Sequence, residues 1–212
     1  MSSTIANVYC VGRNYALHAQ ELGNDIPQEP MIFLKPSHAI ASMKGNVVQL
    51  PHGVGDIHYE AELVIKIARP YEKGMTVNEL VDVMALGIDF TLRDVQSGLK
   101  QKGHPWLKAK GFLQAAPMTH YIAFDGVEDV KKQDFKLQKN GILVQQGNIS
   151  NMIFSLQDIV DYIGTNYGLG VGDHIFTGTP AGVGAVQHGD HLELIYGDNS
   201  LGDCHISIEQ KL

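Results

Sequence analysis

The chain is short of cysteine, of basic clusters and of long apolar runs, and each shortage removes a class of explanation. Two cysteines in 212 residues, Cys10 and Cys204, cannot build a disulfide framework, which leads us to expect reduced thiols in a cytoplasmic protein. Lysine and arginine total 16 against 23 acids, a formal charge of −7, and no Lys/Arg run offers a platform for nucleic acid. No apolar stretch approaches the ~20 residues that span a bilayer. Residues 1–8 show neither a basic-then-apolar leader nor an Arg-rich amphipathic pattern, so the expectation is a soluble, untargeted chain with no membrane partner. Repeats, low-complexity tracts and Pro/Gly/Ser linkers are also missing, and residues 1–212 read as one domain.

What is present is globular in kind, with 44% apolar and 18% charged residues, enough for a well-buried core. Strand-like runs recur at 8–11, 31–34, 47–50, 61–67, 84–90, 135–139, 174–177, 191–195 and 204–208. Helical patterns are fewer. One covers Tyr15 to Leu22, with Asn14 as N-cap and Gly23 as stop, a second Val77 to Met84, and a third Ser155 to Tyr167. Strands outnumber helices without regular βαβ alternation, which predicts a β-rich α+β fold.

The most informative stretch is His58-Tyr59-Glu60-Ala61-Glu62-Leu63-Val64-Ile65-Lys66-Ile67. Strand side chains alternate between faces, so Tyr59, Ala61, Leu63, Ile65 and Ile67 form a core face. Glu60 and Glu62 project together from the other face, about 7 Å apart along the strand. Neighbouring carboxylates repel unless a cation or a proton lies between them. A solvated edge strand would show the same pattern. Asp89 interrupts the apolar run Val83–Phe90, where a buried charge requires a partner or a metal. Arg93, four residues on, could be that partner. Three carboxylates converging on Mg²⁺ or Mn²⁺ explain Glu60, Glu62 and Asp89 together.

His18 and Glu21 stand at i and i+3, on one side of the first helix, where a carboxylate can orient an imidazole as general base. The segment Lys102 to Phe112 carries three lysines, one of which could turn inward toward an anionic intermediate. Thr177 to Gly184 is glycine-rich but lacks the Gly-Lys-Ser/Thr ending of a nucleotide-binding loop. It reads instead as a tight turn that offers N–H groups and the Thr179 hydroxyl to a carboxylate. His38, His52, His120, His174, His188, His191 and His205 show no metal-ligand spacing and read as surface or loop residues.

Seven segments, in order, resemble the fumarylacetoacetate hydrolase superfamily, most closely its short acylpyruvase and oxaloacetate decarboxylase branch. They are Cys10-Val11-Gly12-Arg13-Asn14-Tyr15, Phe33-Leu34-Lys35-Pro36, His58 to Leu63, Asp89 to Gln96, Gly103 to Phe112, Met152-Ile153-Phe154-Ser155 and Thr177 to Gly184. The resemblance implies metal ligands at Glu60, Glu62 and Asp89, and a catalytic dyad of His18 and Glu21 on a short lid helix. It places Lys110 in the site and makes Arg13, Tyr15, Arg93, Gln96 and Thr179 substrate contacts. It also implies a mixed β-sandwich roll, a homodimer, and a keto acid as small-molecule partner. The chain departs from the family at Leu113, where many relatives have Asp, and at the turn Tyr196 to Ser200.

The expected activity is metal-dependent hydrolysis of the C–C bond of 3-acylpyruvates to pyruvate and a carboxylic acid, with decarboxylation of oxaloacetate as a companion. Isomerisation or decarboxylation of hydroxylated dienedioates and a non-catalytic metal-binding role are the alternatives.

Overall fold

The computed structural model describes residues 5–21, 23 and 25–208. Its largest element is an eight-stranded sheet in the order Met31–Lys35, Val8–Gly12, His174–Phe176, Ala61–Ile67, Val81–Ile88, Ala116–Met118 and Ile40–Ser42, with Ile122–Ala123 also paired to Val81–Ile88. A five-stranded sheet runs Ile142–Gly147, Phe135–Lys139, His191–Tyr196, Asn199–Ser207 and Asn46–Gln49. A small third sheet joins Gly184–Ala185, Ile57–Tyr59 and Thr91–Leu92. The strands Phe135–Lys139 and His191–Tyr196 pack on Ala61–Ile67 and Val81–Ile88 respectively, which gives the curled, strand-rich α+β architecture expected from the sequence.

Alternation along Ala61–Ile67 places both faces of its sheet in apolar surroundings. Ala61, Leu63, Ile65 and Ile67 join the main core, together with Leu137, Leu192 and Leu194 of the facing sheet. Val64, on the opposite face, packs with Val8, Cys10, Ala85 and Phe176 in a second core. Glu62 shares the face of Val64, so the carboxylates emerge beside this second core. The edge-strand reading therefore fails: Ala61–Ile67 is paired on both sides, and Glu60 and Glu62 are 5% and 2% exposed.

Two helix expectations are revised. Only Val77–Leu80 is helical in the second candidate, and the chain then runs as the strand Val81–Ile88. Its apolar run fits either period, and pairing with the full length of Ala61–Ile67 decides for the strand. The helix Arg93–Gln101 was not anticipated, because Val95 and Leu99 are its only large apolar residues. The first helix spans Ala16–Glu21, and Leu22 lies outside the described residues. Gly23 follows at φ +63°. Asn14 does not cap this helix. Its side chain instead accepts from Phe154 N and donates to the carbonyls of Phe154 and Thr177, tying three loops together. Ser155 does cap Leu156–Asn166, through a capping box with Asp158.

Candidate active site

Glu60 sits at the break between the strands Ile57–Tyr59 and Ala61–Ile67, and Glu62 lies two residues on. Asp89 follows Val81–Ile88 directly, and its backbone N–H donates to the Glu60 carbonyl at 2.8 Å, so strand register itself sets the two side chains together. Glu60, Glu62 and Asp89 each present a carboxylate oxygen within 4.8 Å of the others, and all three are buried.

Three cations come from distant parts of the chain. Lys110, at the end of the short helix Leu107–Lys110, bridges Glu60 Oε2 at 2.7 Å and Asp89 Oδ2 at 2.6 Å. Arg93 Nη2 reaches Glu60 Oε1 at 2.5 Å while Nη1 donates to Gln96 Oε1 at 2.8 Å. Arg93 thus pairs with Glu60 and not with Asp89, because the start of the helix Arg93–Gln101 faces the break after Tyr59. Asp89 has a second lysine partner besides Lys110: Lys35 Nζ lies 2.7 Å from Oδ1 in a fully buried ion pair. Its N–H groups point elsewhere, toward the carbonyls of Lys110, Phe90 and Ala115. The sequence signals for Lys35 are its place at the end of an apolar strand, Met31–Lys35, and within one of the seven family-like segments.

Burial raises the Glu60 carboxyl, but Lys110 and Arg93 outweigh it and hold the group well below the usual carboxylate range. Glu62 shifts the other way. Burial, then the charges of Asp89 and Glu60, push it well up, with the Gly178 N–H at 2.7 Å opposing. The same balance acts on Lys110, where burial lowers the ammonium and the two acids more than restore it.

These details test whether a divalent cation fits. Asp89 Oδ1 is buried without a hydrogen bond, its contact with Lys35 being off-angle, and Glu62 has no ion-pair partner among the described residues. An all-carboxylate donor set with an orphaned oxygen and a carboxyl lacking a counter-charge suits a hard ion such as Mg²⁺ or Mn²⁺. The residues fit.

The dyad also forms. His18 Nδ1 lies 3.3 Å from Glu21 Oε2, and the Glu21 carboxylate accepts from Gly182 N at 3.0 and 3.2 Å. Burial depresses the His18 imidazole, overcoming the pull of Glu60 and Glu21 in the opposite direction, so the neutral base is favoured near pH 7.

His18, Arg13, Arg93, Gln96, Lys110 and Thr179 line one pocket with the three acids, and Lys100, which the sequence had not singled out, joins them. Arg13 adopts φ +56°, a left-handed conformation uncommon outside glycine. Thr179 is fixed by Gln145 Nε2 at 2.9 Å. Tyr15 is buried, its hydroxyl without a hydrogen-bond partner among the described residues. The interior space is only about 30 Å³, room for a water or two. Phe33 and Trp106, whose rings lie 5.8 Å apart, also border an apolar groove of about 1070 Å³ along the edge strand Met31–Lys35. The titratable machinery lies in the small pocket, so the chemistry is assigned there.

The histidine reading needs correction in two places. His174 is fully buried, and His191 and His205 are brought together with Asp203 by strand pairing, which linear spacing does not display.

Comparison with known proteins follows the same lines. The family profile described as fumarylacetoacetate (FAA) hydrolase C-terminal matches residues 7–208. The rat mitochondrial oxaloacetate tautomerase FAHD1 is 40% identical over 192 residues, 88% of this chain and 85% of that protein. The oxaloacetate tautomerase YcgM of Escherichia coli K12 is 34% identical over 200 residues, 93% and 91% of the two chains. A fumarylpyruvate hydrolase from Pseudomonas aeruginosa, solved in complex with Mn²⁺ and pyruvate, superposes with a TM-score of 0.89 at 33% identity, over 99% of this chain and 92% of that one.

Proposed function

The chain belongs to the fumarylacetoacetate hydrolase family, and from that premise we propose that it is a divalent-metal enzyme that forms and quenches the enolate of a 2-oxo acid, its main reaction being keto–enol tautomerisation of oxaloacetate. The observation that carries this reading is the composition of one pocket. A buried imidazole that favours its neutral form shares it with a cation-bridged carboxylate cluster and with two cations, Arg13 and Lys100, that have no carboxylate partner among the described residues. A substrate with a carboxylate at each end supplies the missing counter-charges. Oxaloacetate has two.

Glu60, Glu62 and Asp89 would hold Mg²⁺ or Mn²⁺, which supplies a Lewis acid for the keto oxygen. Arg93, Gln96 and Thr179 orient the head of the substrate. Neutral His18 accepts a proton from C3, and Glu21 stabilises the resulting imidazolium. Lys110 offsets the charge that develops on the C2 oxygen, and the proton held by the His18 imidazolium is delivered to that oxygen to give the enol and restore neutral His18. The reverse sequence returns the keto acid. The helix Ala16–Glu21 reaches the pocket through His18, and an interior of about 30 Å³ must widen to admit the substrate.

Hydrolysis of 3-acylpyruvates is the second reading, supported by the dyad: His18 could equally deprotonate a water, and cleavage leaves the same pyruvate enolate beside Lys110. Decay of the oxaloacetate enol's ultraviolet absorbance tests the first reading. With Mg²⁺, the protein should speed that decay and His18→Ala should slow it by ~10²–10⁴-fold. An enol decay no faster than without protein, alongside cleavage of an acylpyruvate, would replace the first reading by the second. Turnover of neither, but of a hydroxylated dienedioate, would replace both.

A further inference from the structure

The five-stranded sheet carries, on its outer face, a cluster that the proposed reaction does not use. Strand pairing sets His191 directly opposite His205 and Glu193 directly opposite Asp203. Period-two alternation then puts all four on one face, while Leu192, Leu194, Cys204 and Ile206 point into the core. His191 Nε2 lies 2.9 Å from Asp203 Oδ2, and the two imidazole rings are 4.7 Å apart at an interplanar angle of 35°. One ligand atom each from His191, Asp203 and His205 falls within 4.8 Å of the other two.

The charges around this cluster are one-sided. Neither Asp203 nor Glu193 has a lysine or arginine partner among the described residues, and the His205 ring nitrogens make no hydrogen bond there. Apart from the His191–Asp203 contact, two imidazoles and two carboxylates thus share one side of a two-strand ladder with no lysine or arginine paired to them among the described residues. The backbone is firmly set: His191 N donates to Asn140 Oδ1 at 2.8 Å, and Asn140 N to the His191 carbonyl at 2.8 Å.

We infer that His191, Asp203 and His205 form a second metal site, for a borderline transition ion such as Zn²⁺, with water or Glu193 completing a tetrahedron. Imidazole nitrogen with one carboxylate is a donor set chosen by Zn²⁺, Ni²⁺ or Cu²⁺ and not by Mg²⁺. The site therefore differs in kind from the all-oxygen cluster of Glu60, Glu62 and Asp89. Bonds of ~2.0–2.1 Å require the three ligand atoms to draw slightly closer, which side-chain rotation at this half-exposed surface permits. On binding, His191 gives up its Nε2–H contact with Asp203 by moving the proton to Nδ1. The bound ion then staples Asn199–Ser207 to His191–Tyr196.

Zn²⁺ titration against a chromophoric chelator, in excess Mg²⁺, tests the assignment. The wild-type chain should bind one Zn²⁺ equivalent that disappears, with at least a tenfold loss of affinity, in His205→Ala and in Asp203→Asn. Mg²⁺-dependent activity and the thermal midpoint without Zn²⁺ should stay at wild-type values in His205→Ala, since His205 is exposed and does not line the catalytic pocket. A Zn²⁺ stoichiometry identical in wild type and His205→Ala, whether zero or not, would overturn the proposal. Because the readout is stoichiometry and not turnover, it is independent of the reaction assigned above.

Discussion

Tyr121 closes over His174, its hydroxyl 2.6 Å from Nε2, while Nδ1 lies 2.9 Å from the Gly172 carbonyl oxygen. The carbonyl can only accept, so Nδ1 carries the proton and Nε2 accepts from the tyrosine. A second proton would eject that hydrogen bond, and burial pushes the His174 pKa down to about 4. The unfolded chain, with a histidine near 6.5, then binds more protons than the folded one below that pH. Stability contributed by the neutral ring is therefore complete above pH 6.5 and is lost as pH falls toward about 4, an effect on the order of 3 kcal/mol. Urea midpoints at pH 7 and pH 4.5 should differ accordingly, and His174→Gln should remove most of the difference; an unchanged slope in the variant would dismiss the explanation. The sequence could not show this. A histidine opening a short apolar strand reads as a boundary residue, and burial arises only because Tyr121, 53 positions away, covers it. Lys35 escaped notice for the same reason: its anionic partner lies beyond 50 intervening residues and its three carbonyl partners are invisible in a residue pattern. Asp89 is legible because it interrupts an apolar run, and Glu60 and Glu62 because strand alternation sets two carboxylates side by side on one face.

At the scale of elements, the turn Thr177-Gly178-Thr179 holds the site together from one side. Gly178 sits at φ +101°, and a Cβ there would lie 2.6 Å from the Asn14 Cβ. Its N–H fixes Glu62. Gly178→Ala should lower metal affinity and activity by about 10–100-fold through this displaced carboxylate. The backbone strain, ~1–3 kcal/mol, should also reduce the thermal midpoint by several degrees. A variant with lowered stability but wild-type metal affinity would show that the turn supports only the fold. Helix boundaries were read well where a cap was explicit, as at Ser155, and poorly where sheet pairing competed. Val81 to Met84 has good helical spacing, yet it continues a strand whose neighbours satisfy its backbone on both sides. Asn14 looked like a cap because capping and loop bridging demand the same side chain, and only the proximity of Phe154 and Thr177 separates the two.

For the whole molecule, the proposed cation at the acidic cluster would link folding to metal binding. A ligand that binds only the folded state at 100 times its dissociation constant adds about 2.7 kcal/mol, which for a chain of this size raises the midpoint by roughly 5–10 °C. Chelator-treated protein should show that rise on titration with Mg²⁺ or Mn²⁺, measured by calorimetry, and Glu62→Gln should not. The substitution keeps the shape of a carboxyl that is already pushed toward its protonated form, so the fold survives. An equal rise in both proteins would remove Glu62 from the ligand set. The β-rich α+β class was legible from the count and spacing of strand-like runs. Which strands adjoin was not, since the order of the central sheet follows from long-range pairing that no local pattern encodes.

That order also bears on biosynthesis. His174–Phe176 wedges between Val8–Gly12 and Ala61–Ile67, so two early-made strands cannot be joined until a late one emerges from the ribosome. Until residues 174–176 have been made, the border of Ala61–Ile67 beside Glu62 lacks its neighbour, and an unpaired strand edge of that kind is where off-pathway association starts.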